Sequence, residues 1–233
     1  MSSLKGIKLS KPEYDDKIPS TGDRVKLTPF RVGDEKTLLI AAQSQSVKQM
    51  NIAMRSIIKN CVSGCNVEDL PQSDLEYLFL KLRAKSVGEF STIGVSCTEC
   101  STMNQIEVDL EKVEVEKSDR HTDIVKIEDN LAFKMKLPDA ENLDDADLNN
   151  PEHMMNLIAL SVEVVYNGDE SITVDPTDRD EMKKLIEDMT AKQFEKVQDF
   201  FETMPKLTKK IEFTCGSCGA ENKQKLQGLS SFF

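Results

Sequence analysis

Histidine is scarce in this sequence: His121 and His153 are the only two among 233 residues. The first lies in the polar run 117–122 and the second follows a helix start, so both are read as structural. No glycine-rich phosphate loop and no nucleophile motif accompanies them, and no spacing singles out a carboxylate pair, which argues against a metallohydrolase or a general acid/base enzyme. No catalytic residue is expected. Long apolar runs are also missing: no stretch approaches the roughly 20 residues needed to span a bilayer. Positive charge is in deficit, with 30 Lys and Arg against 41 Asp and Glu and a formal charge of -11. That balance opposes non-specific attraction to a polyphosphate and is read as a solubility feature. Finally, the start of the chain is polar and lysine-dotted, without an apolar leader, so a reducing compartment is expected, where cysteine pairs hold metal or do redox chemistry more often than they form disulfides.

What is present is organised around two cysteine pairs far apart in the chain, Cys97-Thr98-Glu99-Cys100 and Cys215-Gly216-Ser217-Cys218. Two such turns can place four thiolates at the corners of a tetrahedron, which fills the coordination of a structural Zn²⁺ and leaves no open position for catalysis. The pairs read as a degenerate repeat: Ile93-Gly94-Val95-Ser96 precedes the first, Ile211-Glu212-Phe213-Thr214 the second, and an asparagine follows each at the same offset, Asn104 and Asn222. Each copy is expected to be one hairpin of a zinc ribbon. Metal binding would then close the intervening chain into a loop and contribute directly to folding.

With 39% hydrophobic residues the chain can build a sizeable core. The expected fold is α+β: a helical part packed with a small antiparallel β part that carries the two knuckles. A flexible arm is expected over 1–23, then a strand, helices and the first knuckle hairpin over 24–138, an acidic linker over 139–150, a helical segment over 151–205, and the second knuckle with a tail over 206–233; 24–233 is read as one compact unit.

Within this frame a strand is expected at 24–30 and helices at 34–43 and 47–61, the second carrying Met50, Met54, Ile57, Ile58 and Cys61 at spacings of three and four. Cys61 continues that stripe and is read as a small core residue, with a further metal-ligand pair, Cys61 and Cys65, as the alternative. Ser73 and Glu76 form a capping-box spacing ahead of a helix over 74–86, whose Lys81, Arg83 and Lys85 are read as solvated surface. Strands are expected at 90–97, 105–110, 124–127 and 132–137. Asn150-Pro151 opens a helix expected to run to Asn167-Gly168. Helices are expected again from 179 and from the Thr190/Gln193 capping box to Pro205. Phe232 and Phe233, on a polar tail, are candidate partner-docking residues.

Taken together, Leu27-Thr-Pro-Phe-Arg-Val-Gly-Asp-Glu-Lys-Thr-Leu-Leu, Ile57-Ile-Lys-Asn-Cys61, the run from Asp74 to Glu89, the two knuckles and the closing Gly228-Leu-Ser-Ser-Phe-Phe233 resemble the baseplate hub subunit and hub assembly family of T4-like contractile-tailed bacteriophages. The resemblance covers most of the chain from about Lys26 onward; the arm before Arg24 and the acidic insert around 139–150 carry none of it. It implies a non-enzymatic protein of tail assembly, made in the host cytoplasm, acting where the baseplate hub is put together and present in the virion if it stays in the tail. Its partners would be other hub and tail proteins. Cys97, Cys100, Cys215 and Cys218 match pattern positions of that family; zinc itself is inferred from ligand type and spacing. Two other classes compete. A nucleic-acid-binding zinc ribbon would use the same cysteines but calls for Lys, Arg and aromatic residues on the ribbon, where Glu99 and Glu221 stand beside Lys206, Lys209, Lys210, Lys223 and Lys225. A thiol oxidoreductase calls for a low-pKa cysteine at a helix N-terminus, whereas both pairs here sit between strands.

Overall fold

The computed structural model describes residues 9–44, 46–138 and 150–232. The expected acidic linker at 139–150 falls, apart from Asn150, outside the described residues, as do Phe233 and the first eight positions of the expected arm. The architecture is α+β, with six helices and four small antiparallel sheets among the described residues. Where the sequence reading expects 24–233 as one body, the chain forms two compact units, each built from more than one segment: Met1–Glu68, Asp74–Glu114 and Thr208–Phe233 make the first, and Asp69–Ser73 with Val115–Leu207 the second. Among the described residues no helix is long and apolar enough to cross a membrane.

The first unit begins with β1 (Tyr14–Lys17), which pairs antiparallel with β2 (Arg24–Leu27), Tyr14 opposite Leu27; β2 then pairs with β3 (Val62–Ser63). Part of the expected arm is therefore folded, and Ile18, Val25 and Leu27 are all buried. The link between β1 and β2 closes on itself, with Gly22 N–H donating to Ile18 O at 2.8 Å from a left-handed conformation, φ 77°, that glycine adopts without steric cost. Helices α1 (Val32–Gln43) and α2 (Val47–Cys61) pack together. Ser46 caps α2 by accepting from Gln49 N–H at 3.3 Å, and its stripe of Met54, Ile57, Ile58 and Cys61 is buried. Helix α3 (Gln72–Ser86) buries Leu75, Leu78, Phe79, Leu80, Leu82 and Ala84, more than one stripe of its surface. Each of the leucines and the phenylalanine contributes about 1.5–3 kcal/mol by leaving water.

Lys81 corrects an expectation. It is buried rather than solvated, because its ammonium donates to the carbonyls of Leu110 and Glu111 and lies over the ring of Tyr77. The chain then forms two hairpins of this unit. β4 (Phe90–Ser96) pairs with β5 (Met103–Asp109) in unbroken register from Phe90↔Asp109 to Ser96↔Met103. β11 (Lys206–Thr214) pairs with β12 (Glu221–Gln227), from Thr208↔Gln227 to Thr214↔Glu221. Between them in sequence lie β6 (Glu114–Glu116) and the second unit.

The second unit is a four-stranded antiparallel sheet in the order β10-β9-β8-β7 with three helices. β7 (Ile124–Glu128) and β8 (Leu131–Met135) form the expected hairpin, and α4 (Pro151–Ser161) starts at Asn150, whose side chain accepts from Glu152 N–H at 3.0 Å. The helix expected to run to Asn167-Gly168 stops at Ser161, and β9 (Val162–Asn167) follows without a loop. Val162, Val164, Val165 and Tyr166 are stiff or aromatic side chains that suit a pleated surface, and an interior strand pairs its backbone with β8 on one side and β10 (Glu170–Thr173) on the other. Gly168, at φ 60°, turns the β9-β10 hairpin instead of ending a helix. Helices α5 (Arg179–Glu187) and α6 (Ala191–Thr203) complete the unit, α6 with the expected capping box, Thr190 N–H donating to Gln193 Oε1 at 2.7 Å. The core joins Val125, Ile127, Phe133 and Met135 to Ile158, Val162, Val165, Met182, Ile186, Val197 and Phe200.

Candidate metal centre

Cys97 and Cys100 sit in the turn between β4 and β5, Cys215 and Cys218 in the turn between β11 and β12, all within the first unit. The two turns are built alike. In the first, Cys97 N–H donates to Thr102 O at 2.9 Å and Ser101 N–H to Cys97 O at 3.0 Å; in the second, Cys215 N–H donates to Ala220 O at 2.9 Å and Gly219 N–H to Cys215 O at 3.0 Å. The first cysteine of each pair also receives an amide on sulfur, Glu99 N–H to Cys97 Sγ and Ser217 N–H to Cys215 Sγ, both at 3.4 Å.

These turns bring the four sulfurs together. Cys97 Sγ lies 3.8 Å from Cys218 Sγ, Cys100 Sγ lies 3.6 Å from Cys215 Sγ, and all four are within 4.8 Å of one another. A tetrahedral ion with sulfur at about 2.3 Å sets its ligands about 3.8 Å apart, so the spacing fits such an ion, and it is far longer than the roughly 2.05 Å of a disulfide. Cys97 and Cys215 are buried; Cys100 and Cys218 face outward. The four cysteines could thus hold a metal ion, with one cysteine of each pair buried and the other exposed.

Electrostatics sets Cys97 and Cys215 apart from Cys218. The backbone amides of Cys100 and Glu99 lower the Cys97 pKa, and those of Cys218 and Ser217 bring Cys215 down to about 6. At Cys218 the amide of Ala220 acts in the same direction but is outweighed by the thiols of Cys100, Cys215 and Cys97 and by burial, so that its thiol is pushed up to about 12. Metal binding requires the thiolate form and would displace the protons that remain on these sulfurs.

Two residues outside the cysteine set touch it from the strands, and only their common offset from the knuckles hints at them in the sequence. Asn104 Oδ1 accepts from Gly216 N–H at 3.0 Å, and its Nδ2 donates to Thr102 O at 2.8 Å and lies 3.7 Å from Cys215 Sγ. Asn222 Oδ1 accepts from Thr98 N–H at 2.9 Å, and its Nδ2 donates to Ala220 O at 3.0 Å and lies 3.5 Å from Cys97 Sγ. Cys61 and Cys65 do not join the cluster: the group that could hold a metal ion among the described residues consists of the four knuckle cysteines. Burial raises the Cys61 and Cys65 thiols, as expected of inert sulfhydryls.

Phe232 is placed inside the fold. It is fully buried in the short helical turn Leu229–Phe232, which packs on β4 and β12, and its carbonyl accepts from Ser91 Oγ at 3.0 Å. Its side chain is therefore engaged within this chain, and Phe233 lies outside the described residues. His121, in the second unit, stacks on Phe200 with ring centroids 4.9 Å apart and places Nδ1 3.0 Å from Thr203 Oγ1.

The class so defined is an α+β protein in which four cysteines join two hairpins that stand far apart in sequence. The family model described as T4 bacteriophage base plate protein matches residues 11–233, nearly the whole chain, and the chain belongs to that family. It is a structural protein of the phage baseplate. None of the curated proteins and none of the solved structures compared with it matches.

Proposed function

We propose that the protein is a component or assembly factor of the baseplate hub, held in shape by a structural Zn²⁺ at Cys97, Cys100, Cys215 and Cys218. The family match over 11–233 carries the reading; the sulfur spacing supports the metal. Zn²⁺ supplies a cross-link here and no reaction. It would tie Cys100 to Cys215 across 115 positions of chain, and a link that closes a loop of this length restricts the unfolded chain by about 4–5 kcal/mol in the chain-entropy account. The chain's own part is to orient the thiols through the knuckle amides and to keep the inner pair dry. A rigid platform of this kind serves assembly through protein-protein contacts with other hub and tail proteins, in the host cytoplasm while the tail is built.

The test is infection with a phage in which the gene is interrupted by a stop codon. Electron microscopy should show baseplate intermediates without a central hub, and normal tails in such a lysate would refute the hub reading. Mass spectrometry of purified particles separates a resident subunit from a transient factor. Zinc analysis of the purified protein should give one ion per chain, lost in the Cys97→Ser, Cys215→Ser double variant.

A further inference from the structure

The reciprocity of the two asparagines has chemical content. An asparagine that only braced a turn would need its carbonyl oxygen, to receive the amide of the facing knuckle. Asn104 and Asn222 use every polar atom they have. Oδ1 is taken by Gly216 N–H or Thr98 N–H, and one Nδ2 hydrogen goes to the asparagine's own turn, at Thr102 O or Ala220 O. These two bonds fix which way each amide faces, because a flipped group would set donor against donor and acceptor against acceptor. The second Nδ2 hydrogen is left for the sulfur 3.7 Å or 3.5 Å away, and in each case that sulfur belongs to the other hairpin. Asn222 is 2% exposed, so little water competes for its bonds.

Four thiolates around a divalent cation leave two net negative charges, in a chain whose formal charge is already -11. Donors aimed at the sulfurs spread that charge, and groups that orient ligands from behind change metal affinity by about 10–100-fold when removed. We propose that Asn104 and Asn222 are positioning residues of a soft-metal site, each orienting and hydrogen-bonding the buried cysteine of the opposite hairpin, so that the two knuckles bind a thiophilic divalent cation as one unit. The proposal rests on the reading of the four cysteines as a metal centre. It adds that neither knuckle is complete without the other hairpin's asparagine.

The experiment compares the full-length chain with Asn104→Ala, Asn222→Ala, the isosteric Asn104→Asp and Asn222→Asp, and Gln224→Ala. Gln224 donates from Nε2 to Ser96 O at 2.8 Å, so its loss removes a bond between the same two hairpins without touching sulfur. Two quantities are read: Zn²⁺ affinity against a chromophoric chelator, and the sulfur-to-cobalt charge-transfer band of the Co²⁺-loaded protein. The asparagine variants should bind Zn²⁺ about 10–100-fold more weakly and move the band to lower energy, since a thiolate that loses a hydrogen bond is a better donor of charge. Gln224→Ala should leave the band in place. The aspartate variants keep the acceptor for the knuckle amide and remove the donor side, to Thr102 O or Ala220 O and to sulfur, and so test the donors if the alanine variants fold poorly. Asparagine variants with wild-type affinity and an unmoved band would overturn the proposal alone. A wild-type chain that takes up neither Zn²⁺ nor Co²⁺ would overturn the metal-centre reading together with it.

Discussion

Ser101 and Gly219 hold the same place in the two knuckles, each directly after the second cysteine, and both lie in the left-handed region, at φ 58° and 73°. Among the described residues Ser101 is the one non-glycine with positive φ. The turn demands this conformation, because the amide at that position must reach back to the carbonyl of the first cysteine, 3.0 Å away in both knuckles. A side chain there costs about 1–2 kcal/mol, and glycine's larger loss of freedom on folding offsets about 0.4–1 kcal/mol of that. Ser101→Gly should therefore stabilise the first unit by about 0.5–1 kcal/mol, and Gly219→Ala should destabilise it by a similar amount even though an added Cβ would meet nothing within 4 Å. Urea unfolding of the two variants checks both signs; a destabilised Ser101→Gly would show that the serine side chain has a role the turn geometry does not reveal.

The burial of Phe232 makes its substitution a test of folding. A fully buried phenylalanine replaced by alanine loses transfer free energy and leaves a cavity, at a combined cost of about 3–5 kcal/mol, a large part of the 5–15 kcal/mol typical of a domain. Phe232→Ala should lower the denaturation midpoint strongly and loosen the β4 region, where Ser91 meets the Phe232 carbonyl. Denaturant titration followed by hydrogen exchange on β4 would show it; unchanged stability would mean that the end of the chain is docked only loosely.

The parts of this structure that were legible in the sequence are those set by local spacing. The C-x2-C turns, the capping box at Thr190 and Gln193, and the stripe of Met54, Ile57 and Ile58 all depend on residues a few positions apart, and all form as read. What was not legible depends on distant partners. Tyr14-Asp-Asp-Lys17 has little apolar content and becomes a strand because β2 is there to pair with it. Lys81 is buried because carbonyls about 30 positions later receive its ammonium. The stretch after Ser161 has both the helical spacing that suggested continuation and the branched side chains of a strand, and the free edges of β8 and β10 decide between them. The asparagine offsets were visible, but the exchange between hairpins needs the pseudo-symmetric pairing of the knuckles.

His121 gives the second unit a predictable response to acid. Burial first, and the nearby Lys117 second, hold its pKa below the ordinary value, against the opposing pull of Asp123 and Asp199. The unfolded chain therefore takes up a proton at a higher pH than the folded one, and stability rises with pH wherever that is so. The contribution is complete above about pH 6.5 and is lost as the pH falls through the lower folded value. In His121→Gln the fall in stability between pH 7 and pH 5 should be shallower than in the wild type. An NMR titration that finds His121 at or above the unfolded value would sink this assignment.

Helix α1 offers the opposite case to the core. Leu39 and Ile40 are 59% and 58% exposed, whereas Ile57 and Ile58 on α2 are 1% and 0% exposed, although all four are large aliphatic residues on neighbouring helices. Removing a largely exposed side chain returns little, because more than half of it was never taken out of water, and glutamine is as good a helix former as leucine. Leu39→Gln and Ile40→Gln should leave the unfolding free energy within about 0.5 kcal/mol of wild type, while Ile58→Ala should cost about 2–5 kcal/mol. The comparison needs only thermal melts of the three variants with the wild type. A large loss in Leu39→Gln would place that side chain in the core of the isolated chain, contrary to its exposure; a small one leaves Leu39 without a part in holding the first unit together.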